Sequence, residues 1–177
     1  MRAVIEAGAL TVMTATARHG YQARRRHEAM GLLFGRVGAD GTVRIEHAEP
    51  YRCARQTRMS VCFSGDAVDR RRRELARQLD MTSLGLFHSH VDENGLDSNG
   101  QSYEDCQGLY DDEMACIDAT VYVWPRDMAP RRKSSTSLYL YDAENRLAFA
   151  VRVFGKTRGY VSRLPVEVVR GGSRDVE

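Results

Sequence analysis

The chain is short of anything that would staple, kink or anchor it. Its four cysteines, Cys53, Cys62, Cys106 and Cys116, form no CxxC pair and no dense framework among 177 residues. That excludes a disulfide scaffold and leaves a cysteine-built zinc site a poor fit, so a reduced, cytoplasmic setting is expected. No apolar run approaches the roughly 18 residues of a membrane span, and the N-terminus shows no basic-then-apolar leader, so no membrane partner is expected. Prolines number only four, and apolar residues make up 42% against 28% charged, a globular composition rather than a disordered one. A chain of this length buries about 70% of its unfolded surface, enough for one self-sufficient core. A single domain over residues 1–170 is expected, with the aperiodic segment 171–177 as a disordered tail.

Basic charge is missing from one long stretch. Between Val91 and Thr120 there is no Lys or Arg, while Asp92, Glu93, Asp97, Glu104, Asp105, Asp111, Asp112, Glu113 and Asp118 stand there. The net charge of the whole chain is only +2, from 26 basic and 24 acidic residues, which argues against a dedicated nucleic-acid binder. The acidic segment is read as a patch that attracts a cation or a basic partner surface. The clusters Arg24–Arg26, Arg70–Arg73 and Arg131–Lys133 are read as solvated; the second lies in a helical stretch where Asp66, Asp69 and Glu74 offset it. Nothing in the sequence specifies an oligomeric state.

Periodicity marks Ala9–Ala17 as the start of a helix and predicts strands over Ala29–Val37 and Thr42–Ala48 joined by a turn at Asp40-Gly41, with a short strand at Met59–Phe63. An amphipathic helix follows at Asp66–Leu79, then an apolar, buried strand at Ser83–His88. Ser102 reads as the N-cap of a helix reaching Met114, with Asp105 in capping-box position. Ile117–Trp124 is another strand, and Thr136–Tyr141 with Leu147–Phe154 make a hairpin. The order of elements predicts an α/β fold, a mixed β-sheet flanked by helices.

Candidate chemistry gathers at His88-Ser89-His90. Residues two apart on a strand share a face, so both imidazoles can converge on one cation while Ser89 points away toward backbone. Catalytic zinc takes three protein ligands, and Asp105 offers an oxygen, because Ser102 and Asp105 share a face at a helix start. Cys106 lacks an activating partner and is read as a small buried hydrophobe, not a nucleophile. His19, His27 and His47 are read as surface residues, and Tyr122 and Trp124 as core or sheet edge.

The composite of Glu28, the run Gly31-Leu32-Leu33-Phe34-Gly35, His88-Ser89-His90 and Ser102-Tyr103-Glu104-Asp105 resembles the JAMM (MPN+) metalloprotease family, in particular its stand-alone prokaryotic members. The resemblance covers about Glu28 to Val123. It implies an MPN, cytidine-deaminase-like fold and Zn2+ held by His88, His90 and Asp105. It also implies Glu28 as the general base that carries a proton from water to the leaving amine, and Ser102 as a hydrogen-bond donor to the oxyanion. Two departures stand out. Val91 occupies the family's proline position, and the family's shorter spacer lands on Ser98 and Gln101. Gln101 is no anionic ligand, so the longer loop to Ser102 and Asp105 is preferred, since lengthening a loop costs little. The implied substrate is a ubiquitin-like protein or its conjugate, cleaved after the modifier's C-terminus by deconjugation or by precursor processing. Two alternatives accompany it: a peptidase that trims a sulfur-carrier protein, and an inactive scaffold with the same fold.

Overall fold

The computed structural model describes residues 1–52, 55–57, 61–62, 65–91, 102–128, 134, 136–157 and 159–170. Ser98, Gln101, the acidic groups at 92–97, Met59, Arg131–Lys133 and the tail 171–177 lie outside those residues.

In chain order the elements are β1 (Arg2–Glu6), α1 (Ala7–Gln22), β2 (Met30–Val37), β3 (Thr42–Pro50), β4 (Arg55–Gln56), β5 (Val61–Cys62) and α2 (Gly65–Leu79). They continue with β6 (Thr82–His90), α3 (Tyr103–Asp111), β7 (Ile117–Pro125), β8 (Leu138–Asp142), β9 (Leu147–Thr157), β10 (Tyr160–Leu164) and β11 (Val166–Val169). Among the described residues, nine strands form one mixed sheet in the order β10-β9-β7-β6-β2-β3-β1-β11, with β8 also on β9; β4 and β5 pair separately. The fold is mixed α/β, with a nearly closed sheet flanked by three helices. The closure has a simple cause. The two ends of the strand order, β10 and β11, are separated in the chain by Pro165 alone, so one extended segment leaves β9 and joins β1. Pro165 has no N–H to spend in a ladder, and its carbonyl accepts from Ala3 N–H at 2.9 Å.

Alternation along the strands sorts the sheet into two faces. One face carries Ile5, Leu33, Val43, Ile45, Phe87, Ile117, Val121, Val123, Phe149 and Val151, packed against Leu10, Met13, Ala17 and Tyr21 of α1. Across the sheet, Met30, Leu32 and Phe34 of β2 pack on Val68 and Leu75 of α2. Leu109 of α3 packs on Ala115, Phe154 and Val161. The glycines of the Gly31–Gly35 run are there for close approach. A Cβ on Gly31 would strike the Phe87 ring and the Glu49 carbonyl, and one on Gly35 would strike the Arg44 carbonyl beside a β-bulge.

Several elements differ from expectation. The first helix starts two residues earlier than expected and runs over Ala7–Gln22. The third ends at Asp111 instead of Met114, because the Asp112 side chain turns back to accept from Met114 N–H at 2.9 Å. β1, β10 and β11 carry no clean alternation in the sequence and were not expected. Arg72 corrects the reading of its cluster as solvated: it is buried, donating from Nε to Ser83 Oγ at 2.9 Å and from Nη1 to Asp112 Oδ2 at 2.6 Å. Among the described residues, no helix is long and apolar enough to cross a membrane.

Candidate metal centre

The site begins with the register between β2 and β6. These strands are antiparallel with Met30 opposite His88 and Gly31 opposite Phe87. The pairing persists beyond β2: Ala29 N–H donates to Ser89 Oγ at 2.9 Å, and Ser89 N–H to the Ala29 carbonyl at 2.8 Å. Continuing the register places Glu28 opposite His90. Glu28 N–H is itself held by the Thr57 carbonyl at 2.8 Å. Ser89 thus spends its hydroxyl on backbone, as its place on the other face required, and locks Glu28 and the two histidines onto the face shared with α2 and α3.

The third arm arrives at the start of α3. Ser102 Oγ accepts from Asp105 N–H, and Asp105 Oδ2 accepts from Ser102 N–H, both at 3.1 Å, a complete capping box. This local closure fixes the Asp105 rotamer and turns Oδ2 toward both imidazoles. It lies 3.5 Å from His88 Nε2 and 3.7 Å from His90 Nε2, while the two Nε2 atoms are 3.0 Å apart. The Ser102 oxygen serves as acceptor in the cap, and its O–H is a donor that the Asp105 carboxylate takes in the metal-free chain.

His88, His90 and Asp105 form a group that can hold a metal ion. The donor chemistry and spacing fit one. Four-coordinate zinc with ligands at 2.0–2.2 Å has a ligand–ligand edge of about 3.3–3.6 Å, close to the three separations here. Two imidazole nitrogens at 3.0 Å have lone pairs that repel unless a proton or a cation lies between them. The His90 and Asp105 side chains keep 23% and 24% of their exposure, so the group opens to solvent on one side.

Carboxylates surround this group. Glu28 Oε1 is 3.9 Å from His90 Nδ1, and Asp118 Oδ2 is 3.6 Å from His88 Nδ1. Burial pushes the Glu28 carboxyl above its ordinary value; His90 and His88 pull it back, and the Asp105 charge adds to the rise. For His88, burial favours the neutral ring, yet Asp118 and Asp105 outweigh it and hold its pKa well above 6.5 in the metal-free chain. Burial acts against the Asp105 charge too, but hydrogen bonding from His88, His90 and Ser102 keeps its carboxyl far below the usual range. The Cys106 thiol is pushed up by burial, then by the charges of Asp105 and Asp118, which disfavours the thiolate a nucleophile needs.

The structure therefore brings together all five residues singled out from sequence: Glu28, His88, His90, Ser102 and Asp105. Sequence reasoning passed over Asp118 as one acid among nine. Its signal was a lone carboxylate in an otherwise apolar strand. Of the acidic patch, Asp112 is a structural partner of Arg72, so the patch is smaller than the sequence suggested. Tyr122 and Trp124 are buried and stacked, their ring centroids 5.8 Å apart, with the Tyr122 ring 5.3 Å from His90.

No family model matches the chain, and no curated protein matches it in sequence. Among solved structures the chain is similar to a structural-genomics protein from Desulfitobacterium hafniense, determined in solution. The two share 19% identity over 96% of this chain and 94% of that one, with a TM-score of 0.61. At that identity the likeness speaks for the fold alone.

Proposed function

We propose that the protein is a zinc-dependent peptidase or isopeptidase of the JAMM type, built on an MPN, cytidine-deaminase-like sheet. The observation that carries this reading is the convergence of His88, His90 and Asp105 from two separate elements, with the buried carboxylate of Glu28 beside them. His88 Nε2, His90 Nε2 and Asp105 Oδ2 would hold the ion. A zinc ion in such a site supplies an acidified water and polarises the scissile carbonyl. Glu28 takes a proton from the attacking water and returns it to the leaving amine. Burial raises its pKa, which suits this task, because a more basic carboxylate takes the proton from water more readily before passing it to the amine. Ser102 O–H donates to the developing oxyanion, a contribution of order 10²–10³ in rate for one such donor.

The substrate class is the C-terminal tail of a ubiquitin-like protein, joined to a lysine amine or to a further peptide, in a cytoplasmic setting. Support for a basic substrate surface comes from the exposed acidic groups Asp111 and Glu104 on α3 beside the site. The test is metal analysis and turnover on the purified protein. Wild type is expected to carry one zinc and to cleave a ubiquitin-like tail fused to a peptide or to a lysine. Glu28→Gln is expected to keep the zinc and lose turnover. Cleavage by Glu28→Gln at the wild-type rate overturns the mechanism, and wild type that folds but takes up no zinc overturns the reading in favour of a scaffold.

A further inference from the structure

A buried carboxylate in the strand next to the histidines needs a reason. β7 runs parallel to β6 with Leu86 opposite Asp118 and His88 opposite Thr120. By alternation Asp118, Thr120 and His88 share the α3 face of the sheet. Every residue of β7 from Ile117 to Trp124 is buried, Asp118 included. Putting a carboxylate there costs several kcal/mol unless a charged or hydrogen-bonding group answers it. Among the groups around it, which include the Cys106 thiol, it faces His88 at Nδ1, the ring nitrogen on the far side from Asp105 and His90.

We propose that Asp118 is a positioning residue for the cation site: it holds the His88 proton on Nδ1 and so turns the Nε2 lone pair toward the space shared by His90 Nε2 and Asp105 Oδ2. This rests on the reading of that group as a metal centre. Asp118 is not a fourth ligand, because its oxygen meets the wrong nitrogen of His88. The 3.6 Å separation lies just beyond hydrogen-bond length. A side-chain shift of a few tenths of an ångström brings Nδ1–H within range. With the Asp105 carboxylate, 3.5 Å from Nε2, engaged by the ion, the Asp118 charge favours the Nδ1–H tautomer over the Nε2–H tautomer, and the Nε2–H tautomer cannot ligate through Nε2. A carboxylate behind a ligating imidazole also raises its basicity and fixes its plane.

The two histidines are thereby unequal. His90 has Glu28 near its Nδ1, but Glu28 is assigned to proton transfer and must be free to move its proton. His88 has a carboxylate with no other role in the reaction. The ligand that depends on its outer partner is therefore His88.

The experiment is zinc competition against a chelator on purified wild type, Asp118→Asn and Asp118→Ala, with the visible spectrum of the cobalt-substituted forms as a second readout. Loss of the carboxylate is expected to weaken zinc binding 10–100-fold. It should also alter the cobalt ligand-field bands, while metal-free Asp118→Asn keeps its circular dichroism. Asn keeps the shape and removes the charge, so it carries the test if the Ala variant does not fold. In wild type, long-range 1H–15N NMR of the zinc-loaded protein is expected to place the His88 proton on Nδ1, a measurement that needs no variant. Unchanged zinc affinity and cobalt spectrum in Asp118→Asn overturn the proposal while leaving the metal centre standing. A His88 proton found on Nε2 of the zinc-loaded protein overturns both the proposal and His88 Nε2 as a ligand. Wild type without zinc affinity overturns the metal reading, and this inference with it.

Discussion

His88 shows how one residue ties fold, charge and metal together. In the metal-free chain its raised pKa means that the folded state holds a proton the unfolded state releases at about 6.5. Its contribution to stability is complete below that value and is lost as pH rises through the folded one. Asp105 works the other way: held low, it contributes above about 3.8 and loses that contribution as pH falls. Metal-free protein is thus expected to lose melting temperature as pH rises above about 6.5, whereas zinc must displace the His88 proton and binds more tightly over the same rise. Opposite pH slopes for the two forms in thermal denaturation are the expected result; parallel slopes would count against His88 as the shared site of proton and metal. His88→Ala and Asp105→Ala are each expected to abolish stoichiometric zinc in metal analysis, because either removes one of the three residues proposed to hold it. The pairing of His88 with His90 was legible from their spacing alone, since a strand repeats every two residues. Asp118 was not, because a partner in the neighbouring strand has no fixed distance along the chain.

Among the elements, α3 matters most, since it carries Asp105 and is clamped at both ends. Its N-terminus is closed by the Ser102–Asp105 box. At its C-terminus Lys156 Nζ of β9 donates to the carbonyls of Leu109, Tyr110 and Asp112 at 3.4, 3.0 and 2.9 Å. A helix leaves its last carbonyls unpaired and its C-terminal end partly negative, so a cation there answers both needs. Beyond it, Asp112 is gripped by buried Arg72 of α2. Ser102→Ala is expected to cost about 1 kcal/mol in urea unfolding and to weaken zinc binding, because the cap also fixes the ligand rotamer. Arg72→Met is expected to cost about 3 kcal/mol, the lower end for a broken buried pair, because Asp112 retains partial solvent access. The capping box was legible from Ser102-x-x-Asp105. Lys156 and Arg72 were not: no basic residue stands in the last turn of α3, and both cations come from other elements.

For the molecule as a whole, closure and field remain. Pro165 carries the chain from one end of the sheet to the other, so β1 has β3 on one side and β11 on the other. Cutting the chain after Leu164 should unpair one side of β1 and lower the melting temperature measurably. The acidic face around α3 acts through space instead. Asp111→Lys together with Glu113→Lys, with Asp112 left in place to hold Arg72, is expected to raise KM for a basic substrate and flatten its salt dependence. The effect belongs to low ionic strength, because exposed charges are screened beyond roughly 8–10 Å in physiological salt. Equal KM values across salt for variant and wild type would remove the patch from substrate recognition.

The sequence by itself determined what short-range geometry repeats. His88 and His90 share a strand face, Ser102 and Asp105 share a helix start, and the apolar runs of β2, β6, β7 and β9 mark the core. The tertiary structure alone decided the rest. It set Glu28 opposite His90 and Asp118 behind His88, gave α3 its distant cations, and bent the sheet until β10 and β11 met its two ends. Side-chain periods of 2 and 3.6 residues are written into the backbone, whereas which strand lies beside which is set by burying both faces of the sheet at once.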